Sequence, residues 1–108
     1  SWIEIDLGEG FGLIPTCYEV YHGKADGNDA LRSWNFQASH NDRHWQTLRE
    51  HRNDFRITEG FQKITSSLHY INDITEPLRA FRYFRILMTG SNSSGREHLC
   101  ISKVELFG

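Results

Sequence analysis

The sequence predicts an all-β fold, an antiparallel β-sandwich. Three observations carry that expectation. Apolar and polar residues alternate over short runs such as "WIEIDLG" and "WNFQAS". Side chains of a strand point alternately to its two faces, so this period of two marks strands with one wet side. Clusters of Gly, Asn, Asp and Ser punctuate the runs, and no stretch sustains a long helical pattern. Short strands with such turn signals bury their apolar faces by stacking two sheets.

Each element has its own signal. "WIEIDLG" places Ile3, Ile5 and Leu7 on one face and Glu4 and Asp6 on the other. Gly8, Gly10 and Gly12 then break it. "LIPTCYEVYHG" is the next strand, with β propensity from Cys17, Val20 and its tyrosines, and Pro15 suited to its start. "GKADGND" is a loop. In "LRSWNFQAS", Trp34, Phe36 and Ala38 share one face, while Asn35, Gln37 and Ser39 share the other. "HNDRH" is a turn and "WQTLREH" the returning strand. A helix competes over this last part, because Trp45, Leu48 and Phe55 fall near one helical face and Asn41 or Asp42 can cap it. Residues 53–77 are the least readable, with "SLHYI" a candidate short strand. "FRYFRILMTG" puts Phe84, Ile86 and Met88 on one face, "SNSSG" is a loop, and "LCISKVELFG" is a closing strand. The total is six or seven strands.

Composition bounds the function. The 108 residues suit one small domain, and 13% aromatics supply large side chains for a core. Twelve basic against 14 acidic residues give a formal charge of −2. That excludes the basic excess of a nucleic-acid binder and gives no anchor on anionic lipid. No apolar run is long enough to span a bilayer, and the first residues do not resemble a signal peptide. Cys17 and Cys100 are too few for a disulfide scaffold and read as two buried thiols in a reduced compartment. Asn92-Ser93-Ser94 spells a glycosylation triplet, which matters only for a secreted chain.

Catalytic and metal chemistry find little footing. His40 and His44 are four apart, a metal-ligand spacing on a helix, but a hairpin would put them on either side of a turn. Glu4 and Asp6 are available acids, yet no nucleophile elbow or phosphate-cradling glycine loop accompanies them. The expectation is a non-enzyme with no cofactor and no metal. Trp2, Trp34 and Trp45 are assigned to structure rather than to a sugar platform.

The order of the pieces "SWIEIDLG", "LIPTCYEVYHG", "ALRSWNFQASHNDRHWQTL" and "FRYFRILMTGSNSSGREHLCISKVELFG" resembles the discoidin-like domain, also called coagulation factor V/VIII type C. That family is a galactose-binding-like, jelly-roll β-sandwich. The resemblance covers nearly the whole chain and is weakest over residues 53–77. "ALRSW" with "SHNDRHW", and the ending "NSSGREHLCISKVELFG", are most similar to intracellular members found in large ubiquitin ligases and BTB-domain adaptor proteins. Secreted members carry a cysteine at each end of the domain, which this chain lacks. Family members also begin a few dozen residues before "SWIEIDLG", so the expectation is a single discoidin-like domain over residues 1–108 without that part. Where the family's hairpin reads Asp-Gly, this chain has Asn41-Asp42.

The resemblance implies a non-catalytic binding module of a larger intracellular, cytoplasmic protein, recruiting substrates for ubiquitination. Alternate loops of a sandwich lie at opposite ends, so residues 23–30 and the turn at residues 40–44 are separated. In relatives the loops matching residues 23–30 and 90–98 contribute to the ligand-binding end. The candidate site residues are therefore Lys24, Asp26, Asn28 and Asp29 in the first loop, Arg32 at its root, and Asn92, Arg96 and His98 in the second. Their polarity suits a protein or peptide partner and leaves a glycan open. The first loop lacks the large apolar side chains with which secreted relatives enter membranes. The alternatives are a lectin-like surface domain that binds glycans and a structural scaffold.

Overall fold

A computed structural model describes residues 1–68 and 79–108. Seven strands form in order: β1 (Trp2–Asp6), β2 (Cys17–His22), β3 (Trp34–Ser39), β4 (Trp45–His51), β5 (Lys63–Ser67), β6 (Tyr83–Met88) and β7 (Ile101–Phe107). Every pairing is antiparallel, and no helix occurs among the described residues. One sheet has the order β1-β6-β3-β4 and the other β5-β2-β7.

The period-two reading of β3 explains how the sheets join. Trp34, Phe36 and Ala38 are all buried, and Phe36 stacks on Tyr18 of the opposite sheet with ring centroids 4.0 Å apart. Phe84 and Ile86 of β6 continue this layer beneath Val20 and Ile64. Full burial of each such side chain contributes roughly 1.5–3 kcal/mol before entropy is counted.

Several expectations change in the structure. β2 starts at Cys17, because Pro15 cannot donate to a ladder; Leu13 makes only an isolated bridge to Phe81. The helical alternative over residues 41–55 is not formed. β4 carries a bulge instead: Phe36 faces Arg49 and Gln37 faces Thr47, which leaves Leu48 as the extra residue, packed against the core. Phe55 lies beyond that strand and is 67% exposed. β5 is the element that the sequence hid. Its pattern "KITSS" alternates only one isoleucine and one buried serine inward, a weak apolar signal. Of the candidate strand "SLHYI", Ser67 ends β5, Leu68 is buried, and the rest lies outside the described residues.

The expected surface roles also shift. Trp34 is core, but Trp2 on edge strand β1 is 63% exposed, so its side chain does not serve the interior. Trp45 is half-buried under the Arg85 guanidinium, 4.2 Å from its ring centre. Both cysteines are free and half-buried rather than buried. Cys17 opens β2, while Cys100 packs near Gly23 just past the other end of that strand.

Candidate functional site

Three connections converge at one end of the sandwich: residues 23–33 between β2 and β3, residues 52–62 between β4 and β5, and residues 89–100 between β6 and β7. The turn at residues 40–44 lies at the other end, where His40 stacks on Phe81. Asp42 adopts φ 62 there, the positive value that the glycine of a tighter turn would supply. His40 and His44 do not converge on an ion: His40 Nδ1 meets the Ala80 carbonyl at 3.0 Å and His44 Nδ1 meets Asn41 Nδ2 at 3.0 Å. Among the described residues no group of three or more His, Cys, Asp or Glu is placed to hold a metal.

All eight candidate residues lie at the three-loop end, but they do different things. Asp29 and Asn92 are 2% and 5% exposed and form its internal fastening. Asn92 Nδ2 donates to Asp29 Oδ1 at 3.1 Å and to the His98 carbonyl at 2.9 Å, while its Oδ1 accepts from the Ser94 and Arg96 amides. Asp29, at φ 57, receives Lys24 on its other oxygen, with the Arg96 guanidinium 3.9 Å away. The Lys24 hydrogen bond, backed by Asn92 and the charges of Lys24 and Arg96, holds the Asp29 carboxyl below the usual carboxylate range. The same contact raises the Lys24 ammonium.

Ser93 closes the remaining gap. Its hydroxyl donates to the Gly27 carbonyl and accepts from the Ala30 amide, while its own amide donates to the Ala30 carbonyl. Asp26, Asn28, Arg96 and His98 remain exposed. Asp26 Oδ1 accepts the Asn28 amide at 2.9 Å. Arg32 is half-buried, donates to the Ile57 carbonyl at 2.8 Å, and lies over the Phe55 ring at 5.3 Å.

The third loop was not anticipated as part of this end, and it changes the chemistry. Phe55 and Phe61 are 67% and 65% exposed, so the surface is not purely polar. Both sit in the unreadable stretch, where the only signal was two phenylalanines among polar residues. Phe61 holds φ 52, a region few non-glycine residues adopt, and its amide donates to the Lys24 carbonyl. Gly60 lets the loops touch: a Cβ there would fall 2.1 Å from the Ala25 backbone. Gln62 braces the loop by accepting the Thr58 amide and donating to the Arg56 carbonyl.

Beneath this surface runs a buried polar chain. Trp34 Nε1 donates to the Tyr18 hydroxyl at 2.9 Å, and Tyr18 contacts His51 Nε2. His51 Nδ1 faces Asp54 Oδ2 at 3.2 Å, and the Arg56 fork grips the same carboxylate. Burial lowers His51 to about 4 and pushes the Tyr18 phenol up. Burial alone would raise Asp54, but hydrogen bonds from Arg56 outweigh it and lower that carboxyl to about 2. A neutral His51 donating from Nδ1 to ionised Asp54, with Nε2 accepting from Tyr18, satisfies the network. Because the chain is closed to solvent at Tyr18 and His51, it fixes the root of the third loop rather than meeting a ligand.

The sandwich carries a three-loop surface fastened by Asp29, Asn92 and Ser93. No known family's model matches the chain. It is 36% identical over 109 residues to the E3 ubiquitin-protein ligase Ufd4 of Drosophila melanogaster, covering all of this chain and 4% of that protein. It is 36% identical over 105 residues to the E3 ubiquitin-protein ligase hecd-1 of Caenorhabditis elegans, covering 96% of this chain and 4% of that one. A BTB/POZ domain-containing protein of Arabidopsis thaliana is 32% identical over 111 residues, covering all of this chain and 13% of its own length. The chain is thus similar to small segments of these two ubiquitin ligases and spans 4% of the length of each. No helix of the described residues is long and apolar enough to cross a membrane.

Proposed function

We propose that this chain is a non-catalytic, discoidin-like recognition module of a large intracellular ubiquitin ligase, and that its three-loop end docks a protein or peptide brought for ubiquitination. The observation that carries this reading is the division of labour at that end. Asp29, Asn92 and Ser93 are spent on holding the loops, while Asn28, Arg96, His98 and Phe55 are held outward on a rigid base. Loops positioned in this way are where a β-sandwich binds its partners. Similarity to segments of ubiquitin ligases supports the protein context.

The test is quantitative affinity purification of the intact protein against the doubly substituted Asn28→Lys, Arg96→Glu form. Both residues are exposed, so the sandwich should survive. The expected result is selective loss of a subset of partners, with reduced ubiquitination of those same proteins. Identical partner profiles for the two forms would overturn the reading.

A further inference from the structure

We infer that the three-loop end recognises an extended peptide carrying one aspartate or glutamate beside a large apolar side chain, with Arg32 receiving the carboxylate and Phe55 and Phe61 receiving the apolar group. This rests on the docking role proposed above and names its partner chemistry.

Arg32 is the first support. It forms no ion pair with a carboxylate among the described residues, unlike Lys24, Arg56, Lys63, Arg82 and Lys103. One guanidinium nitrogen donates to the Ile57 carbonyl, and the central carbon lies over the Phe55 ring, 5.3 Å from its centre. The rest of the fork remains available, and a guanidinium held by that hydrogen bond and the ring beneath it has already lost much of the freedom that carboxylate binding would cost. The ring under the cation also lowers its hydration, which favours an anionic partner.

The two phenylalanines are the second support. Trp2, Phe11 and Phe107 are exposed as well, but Phe55 and Phe61 share one short loop, and apolar side chains gathered in one place mark an interaction surface as scattered ones do not. Phe61 keeps a left-handed backbone although asparagine or glycine would suit that position better. Strain retained at an exposed side chain points to use of that side chain.

Charge limits the ligand to a single acid. Lys24 and Arg96 share the one carboxylate of Asp29, and over the three loops Lys24, Arg32, Arg52, Arg56 and Arg96 are balanced by Asp26, Asp29, Asp54, Glu59 and Glu97. Asp26 and Glu59 are exposed on the same loops and would repel an acidic run. The polarity therefore selects one carboxylate next to an apolar group. Backbone pieces tie the surface into one unit: Asp54 N–H donates to the Arg32 carbonyl and Phe61 N–H to the Lys24 carbonyl.

The experiment uses a random heptapeptide library displayed on phage, selected on the intact protein and read by sequencing. Enrichment of sequences with Asp or Glu within two positions of Phe, Leu, Trp or Tyr is expected. Binding of the enriched synthetic peptides should fall at least tenfold in Arg32→Glu and in the double substitution Phe55→Ser, Phe61→Ser. Thermal melts confirm that each variant is folded, and Arg32→Gln serves if Arg32→Glu is not. Enriched peptides without that pairing, or peptides indifferent to these substitutions but lost on Arg96→Glu, would overturn this inference while leaving the docking reading intact. No enrichment at all would overturn it too. Vesicles of phosphatidylcholine with phosphatidylserine form the second arm. Phe55- and Phe61-dependent vesicle binding without peptide binding would assign the surface to lipid and sink the proposal.

Discussion

The indole of Trp34 lies flat on the imidazole of His51, with ring centroids 3.8 Å apart and planes 10° from parallel. That contact seals His51 inside the sandwich and makes its neutral form part of the native state. Unfolding restores an ordinary histidine, so stability depends on pH. His51 is depressed from 6.5 to about 4 in the folded chain. Between those values the unfolded chain takes up a proton that the folded one refuses. Stability is therefore full above the unfolded value and is lost as pH falls through the window. Urea unfolding at pH 7 and pH 5 should differ by about 2 kcal/mol. His51→Gln should be less stable at pH 7 and should show a flatter dependence. Equal slopes for the two proteins would refute the assignment. The Asp54 carboxylate adds a second loss at lower pH, between its ordinary value and about 2.

Tyr18 links Trp34 to His51. Tyr18→Phe keeps the stack on Phe36 but leaves Trp34 Nε1 and His51 Nε2 buried without that partner. The expected loss is about 1–3 kcal/mol in chemical denaturation. Trp34 fluorescence should shift with the change in its indole hydrogen bond.

Asn92→Ala removes the amide that bridges Asp29 and the His98 carbonyl. We expect a loss of about 1–3 kcal/mol. Hydrogen exchange should accelerate at the Ala30 and Ser93 amides, which these loops share, and stay slow in the β3 interior. Uniform acceleration across both regions would show that the effect is global.

Phe61 and Gly60 should respond in opposite directions. Phe61→Asn relieves a positive φ at an exposed site, so the unfolding free energy should hold or rise by up to about 1 kcal/mol. Gly60→Ala drives a methyl into the Ala25 backbone and should cost about 1–3 kcal/mol. A harmless Gly60→Ala would mean that the two loops can separate freely.

Much of the scaffold was legible because β3 and β6 alternate cleanly against a buried partner sheet. "WNFQAS" declares its inward face without ambiguity. β5 was not legible, since a strand with one isoleucine inward leaves no period to detect. The same stretch hid Phe55 and Phe61, whose exposure depends on where β4 ends and β5 begins. The eight candidate residues were gathered at one end by the resemblance to discoidin-like domains, and the structure places them all there. Neither the resemblance nor the pattern could tell Asn28, which faces water, from Asp29, which is buried beside it, because that difference arises in part from a contact sixty-three residues away in sequence. Ile3 shares a face of β1 with Ile5, yet Ile5 packs against the core while Ile3 is exposed: alternation reports a face, not whether anything covers it.

The fastening at Asn92 also governs when the chain could be chemically marked. Its side-chain nitrogen, the atom to which an oligosaccharide would be joined, is occupied twice over in the folded domain. If the polypeptide were ever routed past a glycosyltransferase, attachment would have to precede closure of the loops and would then prevent it. A sugar at Asn92 would thus be a fossil of a molecule that never finished folding.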